Sequence, residues 1–530
     1  GNRVVNQSTG VITGAVDLGP TCLEQPSRVD FVCSFDNYGT WNPNLSSTVS
    51  KSVVGYHSLH NYGVINISQL TTVEGALTQY DSGELVFNLN STYLEDFALS
   101  VTGAAQIAGT IRFSTPDTLE NKAYRLVQAD SLAWTGRLIS PALFAWTPST
   151  REGNLSASPT AQFNAVAESF GPNQQNLARH LETAWSTSSE THLGELFAAL
   201  NRITGADEFQ QLLNDLGASG LLQADRAVQE VMPGLLADVL DCPVKGSADV
   251  VRGEASCLWL SGGHSWGHYS PDDGSPNGNL DGDLYALGGQ KEFRPGWFLA
   301  ASVGRLDSEI QEDRFHSSGE TDLFSIAVKR RSGRWEFGTS AAYGSGSFDS
   351  WRLLRIPGAL ELAIRGEADV DVLAFRARAS YEFSTNENWY LRPSLAVDTV
   401  RSEMGRIHEN SSSFVALDLK GPASTDVALT PGIQIGGFKR LGHSVLRGYV
   451  DAGIRYAPDA GGELEGRLAG VQATDNRFSI IRDTPDTTGL LRVGAQLLSS
   501  NRLDLRLEYE LEENGAYRRQ AATARLAWIF

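Results

Sequence analysis

At 530 residues the chain is too long for one ordinary core, and its formal net charge of -19 argues against nucleic acid, which calls for clustered Lys and Arg. With 53 Gly against 2 Met and 20% charged residues, the composition favours turn-rich β structure over helical packing. No segment holds the ~20 uninterrupted apolar residues of a membrane-spanning helix, which excludes a helical membrane protein but not a β-barrel. The chain opens on Gly1 with no basic stretch followed by an apolar one, so it reads as a mature product or a piece of a longer precursor.

The first section repeats a phrase: STGVITGAV, then NYGTWNPN from 37, then NYGVINIS from 61. Asn and Gly at a turn followed by β-formers predict rungs of a parallel β-solenoid over 1–68, with ordinary hairpin turns as the alternative. Tyr38 and Trp41 read as stacking residues of those rungs rather than a sugar platform. From 69 to 155 the strands become denser, as in ELVFNLN and FALSVTGAAQIAGTIRF, and predict a β segment that caps the open end of the solenoid. Residues 156–253 change to three- and four-residue apolar spacing, as in LGELFAALNRI and GLLQADRAVQEVM, and predict a connector of short helices. Pro233 and Gly234 are expected to interrupt the last of them.

From 254 to 530 the rhythm is two residues. In RLDLRLEYEL, Leu503, Leu505, Leu507, Tyr509 and Leu511 oppose Arg506 and Glu508; similar rows place Arg376, Arg378 and Glu382, and Arg447, Asp451 and Arg455, on the polar face. Long strands with aromatic ends and long polar intervening segments, such as 402–425, fit a transmembrane barrel whose polar face lines the lumen. About twelve strands are expected, an even number, with outer-membrane lipid against the apolar face. The fold class is therefore mainly β: a 12-stranded antiparallel transmembrane β-barrel, an α-helical connector and a right-handed parallel β-solenoid stem.

The four cysteines fall into close pairs, Cys22 with Cys33 and Cys242 with Cys257, and read as two short disulfide loops made in an oxidising compartment, the alternative being four reduced thiols. His264 and His268, with Asp272, Asp273, Asp281 and Asp283 nearby, fit a solvated loop better than a metal site, and no metal or cofactor is expected. No G-x-S-x-G elbow, Walker sequence or H-E-x-x-H is expected, and no Ser or Cys has an identifiable base partner, so no catalysis is expected.

Solenoid, cap, connector and barrel in this order resemble the classical (type Va) autotransporters of Gram-negative outer membranes. CLWLSGGHSWGHYS is similar to the family's first barrel strand, and the last residues, ATARLAWIF, resemble its assembly signal, with Ala522, Ala524, Leu526, Trp528 and Phe530 at alternate positions. The resemblance implies a monomeric outer-membrane translocator inserted by the β-barrel assembly machinery with periplasmic chaperones. It also implies a connector helix in the pore, its own passenger delivered to the cell surface with residues 1–150 exposed, and an autochaperone role for 69–155. Some members cut themselves at an Asn-Asn step, whereas Asn164, Asn173, Asn176, Asn201 and Asn214 are never adjacent. The rival readings are an outer-membrane channel with a periplasmic module, and a surface adhesin without a secretion role.

Overall fold

The computed structural model describes residues 2–18, 33–43, 58–114, 118–187, 193–241, 256–270, 277–356, 361–384, 388–409, 413–421, 423–442, 444–458, 460–471, 476–499 and 502–530. The chain divides into two units: Gly1–Ser169 with Ala178–Gln211 and Ile356–Leu360, and Phe170–Leu177 with Leu212–Arg355 and Glu361–Phe530.

In the first unit each rung contributes one strand to each of two parallel sheets. One sheet runs through Arg3–Asn6, Ser34–Asn37, Ser58–Asn61, Ala76–Gln79, Leu99–Ile107 and Tyr124–Trp134; the other, 6-stranded, runs from Val11–Thr13 to Arg137–Ile139. The repeated Asn-Tyr-Gly phrase has three separate jobs. Buried side-chain amides form a ladder, Asn6 donating to Asn37 at 2.8 Å and Asn37 to Asn61 at 2.8 Å. Tyr38, Tyr62 and Tyr80 stack with centroids 4.6 and 4.1 Å apart. At Gly63 a Cβ would stand 2.1 Å from the Gly39 carbonyl oxygen, so the stacked turns admit no side chain there. Trp41 is fully buried, edge-on to Phe35, and its indole donates to the Gly14 carbonyl at 2.9 Å.

The parallel pairing runs on past the boundary expected near 69, to Ile139. The antiparallel element that ends it is the hairpin Phe144–Arg151 and Asn154–Ala161, the latter pairing with Tyr124–Trp134. Its last strand also runs into the region expected to be helical from 156. Beneath the hairpin, Phe144 meets Phe163 and Trp185 at 5.2 and 5.0 Å, and Trp185 meets Phe197 at 4.9 Å. These aromatics bring in α1 (Phe163–Ala167), α2 (Pro172–Thr187) and α3 (Gly194–Leu200).

Then come α4 (Ala206–Gly217) and α5 (Leu221–Asp238), joined by a turn in which Ala218 takes φ 46. The expected break at Pro233 is absent: α5 runs unbroken through it. Proline removes one hydrogen bond of the helical ladder, but nearly every residue of α5 is buried, so surrounding contacts hold the helix across the gap.

The second unit is a closed 12-strand antiparallel barrel. Its strands are Cys257–Tyr269, Gly278–Arg294, Trp297–Glu312, Phe315–Ser332, Trp335–Arg355, Glu361–Tyr381 with Phe383–Ser384, then four in two pieces each, and finally Leu503–Asn514 and Tyr517–Ile529. First and last strands pair from Cys257↔Ile529 to Tyr269↔Tyr517, so no backbone edge is left in the ring. The two-piece strands extend beyond it as Arg406–Glu409, Leu417–Lys420, Gly461–Leu468 and Phe478–Asp483, so the segment 402–425, read as a polar loop, is partly strand. The outer edge of this extension is met by α2: the Asn173 side chain exchanges two hydrogen bonds with the Ile481 backbone, at 2.9 and 2.7 Å, in the manner of a peptide group. Asn176 donates to Ser479 O at 3.0 Å.

Candidate functional site: the occupied barrel lumen

Strict alternation sorts the barrel side chains. Leu373, Phe375, Val450, Ile454, Leu505, Leu507, Leu526, Trp528 and Phe530 are exposed on the outer face, and Ala522 and Ala524 share that face. Trp335, Phe337, Tyr381, Phe383 and Trp389 cluster near one rim, an aromatic girdle of the kind found at a membrane interface.

The inner face is charged and paired. Arg376 grips Asp398 with two bonds of 2.6 and 2.9 Å, and Glu382 accepts from Arg392 at 2.5 Å. Arg447, 1% exposed, donates to Tyr390, Gln496 and Gln434, with its guanidinium 4.5 Å from the Tyr449 ring centroid. Asp451 accepts from Gln434 at 3.3 Å, and Arg455 meets Glu512 at 3.4 Å. Arg506 and Glu508 are joined at 2.5 Å, with Tyr449 donating to Glu508 at 2.6 Å. Tyr390, Tyr449, Lys329 and Arg482 also belong to this face. The period-two rhythm is the signal in the sequence that places Tyr390 and Tyr449 on the inner face.

α5 lies within this ring, in contact with many of its strands. Near its start, Asp225 and Arg226 are buried although charged. Asp225 accepts from Ser402 and from Gln229, and lies 3.6 Å from Arg482, which donates to the Leu222 carbonyl at 2.9 Å. Arg226 holds Glu230 at 2.5 Å and sits 3.9 Å from the Tyr517 ring centroid, while Tyr517 donates to Glu230. At the other end the helix carbonyls meet cations and a hydroxyl. Ser340 donates to Leu236 O at 2.9 Å, Arg525 to Asp238 O at 3.1 Å and Lys329 to Leu240 O at 2.5 Å. These are the groups a helix C-terminus favours. Arg378 then holds Asp241 at 2.7 Å, just beyond the helix. One buried charge without its partner would be costly, so these pairs fix both the depth and the rotation of the helix.

Cys33 and Cys257 are buried and neither is a free thiol; Cys22 and Cys242 lie outside the described residues. His264 meets Asp283 at 2.9 Å and His268 meets Asn279 at 3.0 Å, while Asp272 and Asp273 lie outside the described residues. No cluster of metal-binding type occurs among the described residues. Contrary to the expectation of no such string, Gly263-His264-Ser265-Trp266-Gly267 spells G-x-S-x-G, but it runs straight along the first barrel strand. Ser265 donates to Gly282 O at 3.3 Å and points to the face opposite His264, so no nucleophile elbow is formed.

A closed barrel, apolar outside, charged inside and holding a helix of its own chain, belongs to the class of outer-membrane translocators. Residues 258–510 match the family model described as the autotransporter beta-domain, and the barrel is an autotransporter beta-domain of the Gram-negative outer membrane. It is 22% identical over 180 residues to Esterase EstA of Pseudomonas aeruginosa and, equally, to Esterase EstA of Pseudomonas putida. The matched stretch is 33% of this chain and 28% of those proteins, so the chain matches under a third of the length of these curated relatives. Among solved structures it is similar to the translocator domain of the autotransporter NalP from Neisseria meningitidis, with TM-score 0.46 and 13% identity, covering 59% of this chain and all of that one. It is also similar to the transport unit of AIDA-I from Escherichia coli, with TM-score 0.36 and 10% identity, covering 57% of this chain and 98% of that one.

Proposed function

We propose that this chain delivers its own passenger to the cell surface and stays there as its anchor, with about 1–150 exposed and α5 retained in the pore. The observation that carries this reading is α5, a segment of the same chain fixed in the lumen at both ends by inward-facing side chains and followed by the first barrel strand. A helix fixed so firmly argues against the rival reading of an open permeation channel. In this reading the β-barrel assembly machinery and periplasmic chaperones are the partners of a monomer, Ala522, Ala524, Leu526, Trp528 and Phe530 are read as the assembly signal, and the cysteines close as two small loops. The solenoid end and its cap would fold outside the cell. The esterase activity in EstA's name is that of proteins of whose length the match covers 28%, and it is not part of this reading.

Protease added to intact cells tests this. Digestion of 1–150 with the barrel strands protected is the expected result. Digestion of that region only after the outer membrane is permeabilised would make it a periplasmic module and overturn the reading.

A further inference from the structure

The outer face of the barrel changes charge from one end to the other. Along Phe315–Ser332 that face carries Asp322, Phe324, Ile326, Val328 and Arg330 in turn, all exposed. At the loop end, neighbouring strands continue the acidic side with Asp307, Glu309, Asp369 and Asp371. At the end of the short turns, which in outer-membrane barrels is the periplasmic one, the same face carries Lys291, Arg330 and Lys439.

Adjacent strands bring two of these cations around one spot. Trp297 stands opposite Arg294 on one side and Arg330 on the other; Leu299, next on the same face, stands opposite Lys291 and Val328. Lys291 and Arg330 are therefore two strands over and two residues along from each other, roughly 12 Å at the backbone, a span that two long side chains can close around one phosphate. The Arg330 guanidinium lies 4.9 Å from the Trp297 ring centroid, which holds the cation over the lipid-facing surface, and Phe293 meets the same ring with centroids 6.4 Å apart. The carboxylate of this hairpin, Glu292, is turned to the backbone instead, accepting from Gly296 N at 2.7 Å. Lys291 and Arg330 are left without an acidic partner among the described residues. From this pair Leu299, Ala301 and Val303 run toward the bilayer centre, an apolar track on which acyl chains can lie.

We propose that Lys291 and Arg330 bind the phosphate of one anionic phospholipid in the periplasmic leaflet, with its acyl chains along Leu299, Ala301 and Val303. An anionic headgroup supplies the counter-charge that these two cations lack, whereas a zwitterionic one brings a cation of its own. The acidic band at the far end of the same strands repels such a headgroup, so the site discriminates between leaflets. The proposal rests on the barrel spanning a bilayer and not on passenger delivery, and it holds or fails whichever way the proteolysis result falls.

The test is native mass spectrometry of the full-length protein in micelles holding equal amounts of phosphatidylglycerol and phosphatidylcholine, each variant first being shown to fold by heat-modifiable migration. The wild type is expected to retain one phosphatidylglycerol in clear excess over phosphatidylcholine. Lys291→Gln and Arg330→Gln each lower that ratio about fivefold, and together they bring it close to one. Arg305→Gln, which removes an outer-face cation at the acidic end, leaves it unchanged. Equal retention of the two lipids by the wild type overturns the proposal, as does a preference that survives the double substitution or falls as far in Arg305→Gln. Displacement of the lipid by inorganic phosphate alone makes this an ion site and overturns it too. If Arg330→Gln fails to fold, Lys291→Gln decides alone.

Discussion

At the residue scale, the lumen is held by pairs that cannot be undone one side at a time. Replacing Asp225 with Ala leaves Arg482 buried without its carboxylate and Ser402 without its acceptor, and breaking a buried pair in this way costs about 3–5 kcal/mol. Asp225→Ala should therefore lower the temperature at which the barrel loses heat-modifiable migration, and an unchanged temperature would mean that the helix is not seated by this group. Such residues were only half legible in the sequence. Arg376, Arg378 and Arg447 declare their direction because each stands between apolar neighbours two residues apart. Asp225 and Arg226 do not: a charge on a helix looks solvated until a wall rises around it, and that wall is built some 175 residues or more further on, at Ser402, Arg482 and Tyr517.

Elements were easier to see than their limits. The solenoid rungs announce themselves while Asn-Tyr-Gly repeats, but in the next rung the ladder amide comes from Gln79, followed by Tyr80 and, further on, Gly83. The phrase fades while the parallel register continues, which is why the cap was expected too early. Pro233 misled in the opposite sense, because propensity describes a helix in water and α5 lives inside a wall. Under the last rungs, burial pushes the Tyr124 hydroxyl up to about 12 from its ordinary 10, and raises that of Tyr93 too. The folded state thus holds these protons more tightly than the unfolded chain. Their contribution is complete below pH 10 and is lost as pH rises through about 12. Tyrosine absorbance followed during alkaline titration should show the solenoid loosening in that window, and Tyr124→Phe, which has no proton to lose, should delay the transition. Loosening at the same pH in both proteins would remove Tyr124 as its cause.

On the scale of the whole molecule, two ways of finishing a sheet coexist in one chain: the solenoid is ended by an antiparallel hairpin, and the barrel is joined to itself. The closing strand turns Ala522, Ala524, Leu526 and Trp528 to the outer face and Ala521, Arg525, Ala527 and Ile529 inward, Arg525 against the end of α5. Trp528→Asp places a charge on that outer face, where burial in lipid is unfavourable. It should lower the yield of heat-modifiable barrel recovered from membranes, and a wild-type yield would remove Trp528 from the assembly role. The outer face also carries a length. From Leu503 to Leu511 the apolar row runs about 27 Å along its strand, which becomes about 20 Å across a bilayer once the strand tilts as barrel strands do. A typical hydrocarbon layer is about 30 Å thick, and bacterial outer membranes are thinner than average. The apolar row of the closing strands is thus shorter than a typical hydrocarbon layer, and a membrane of that thickness would have to thin at the very seam where the ring is joined.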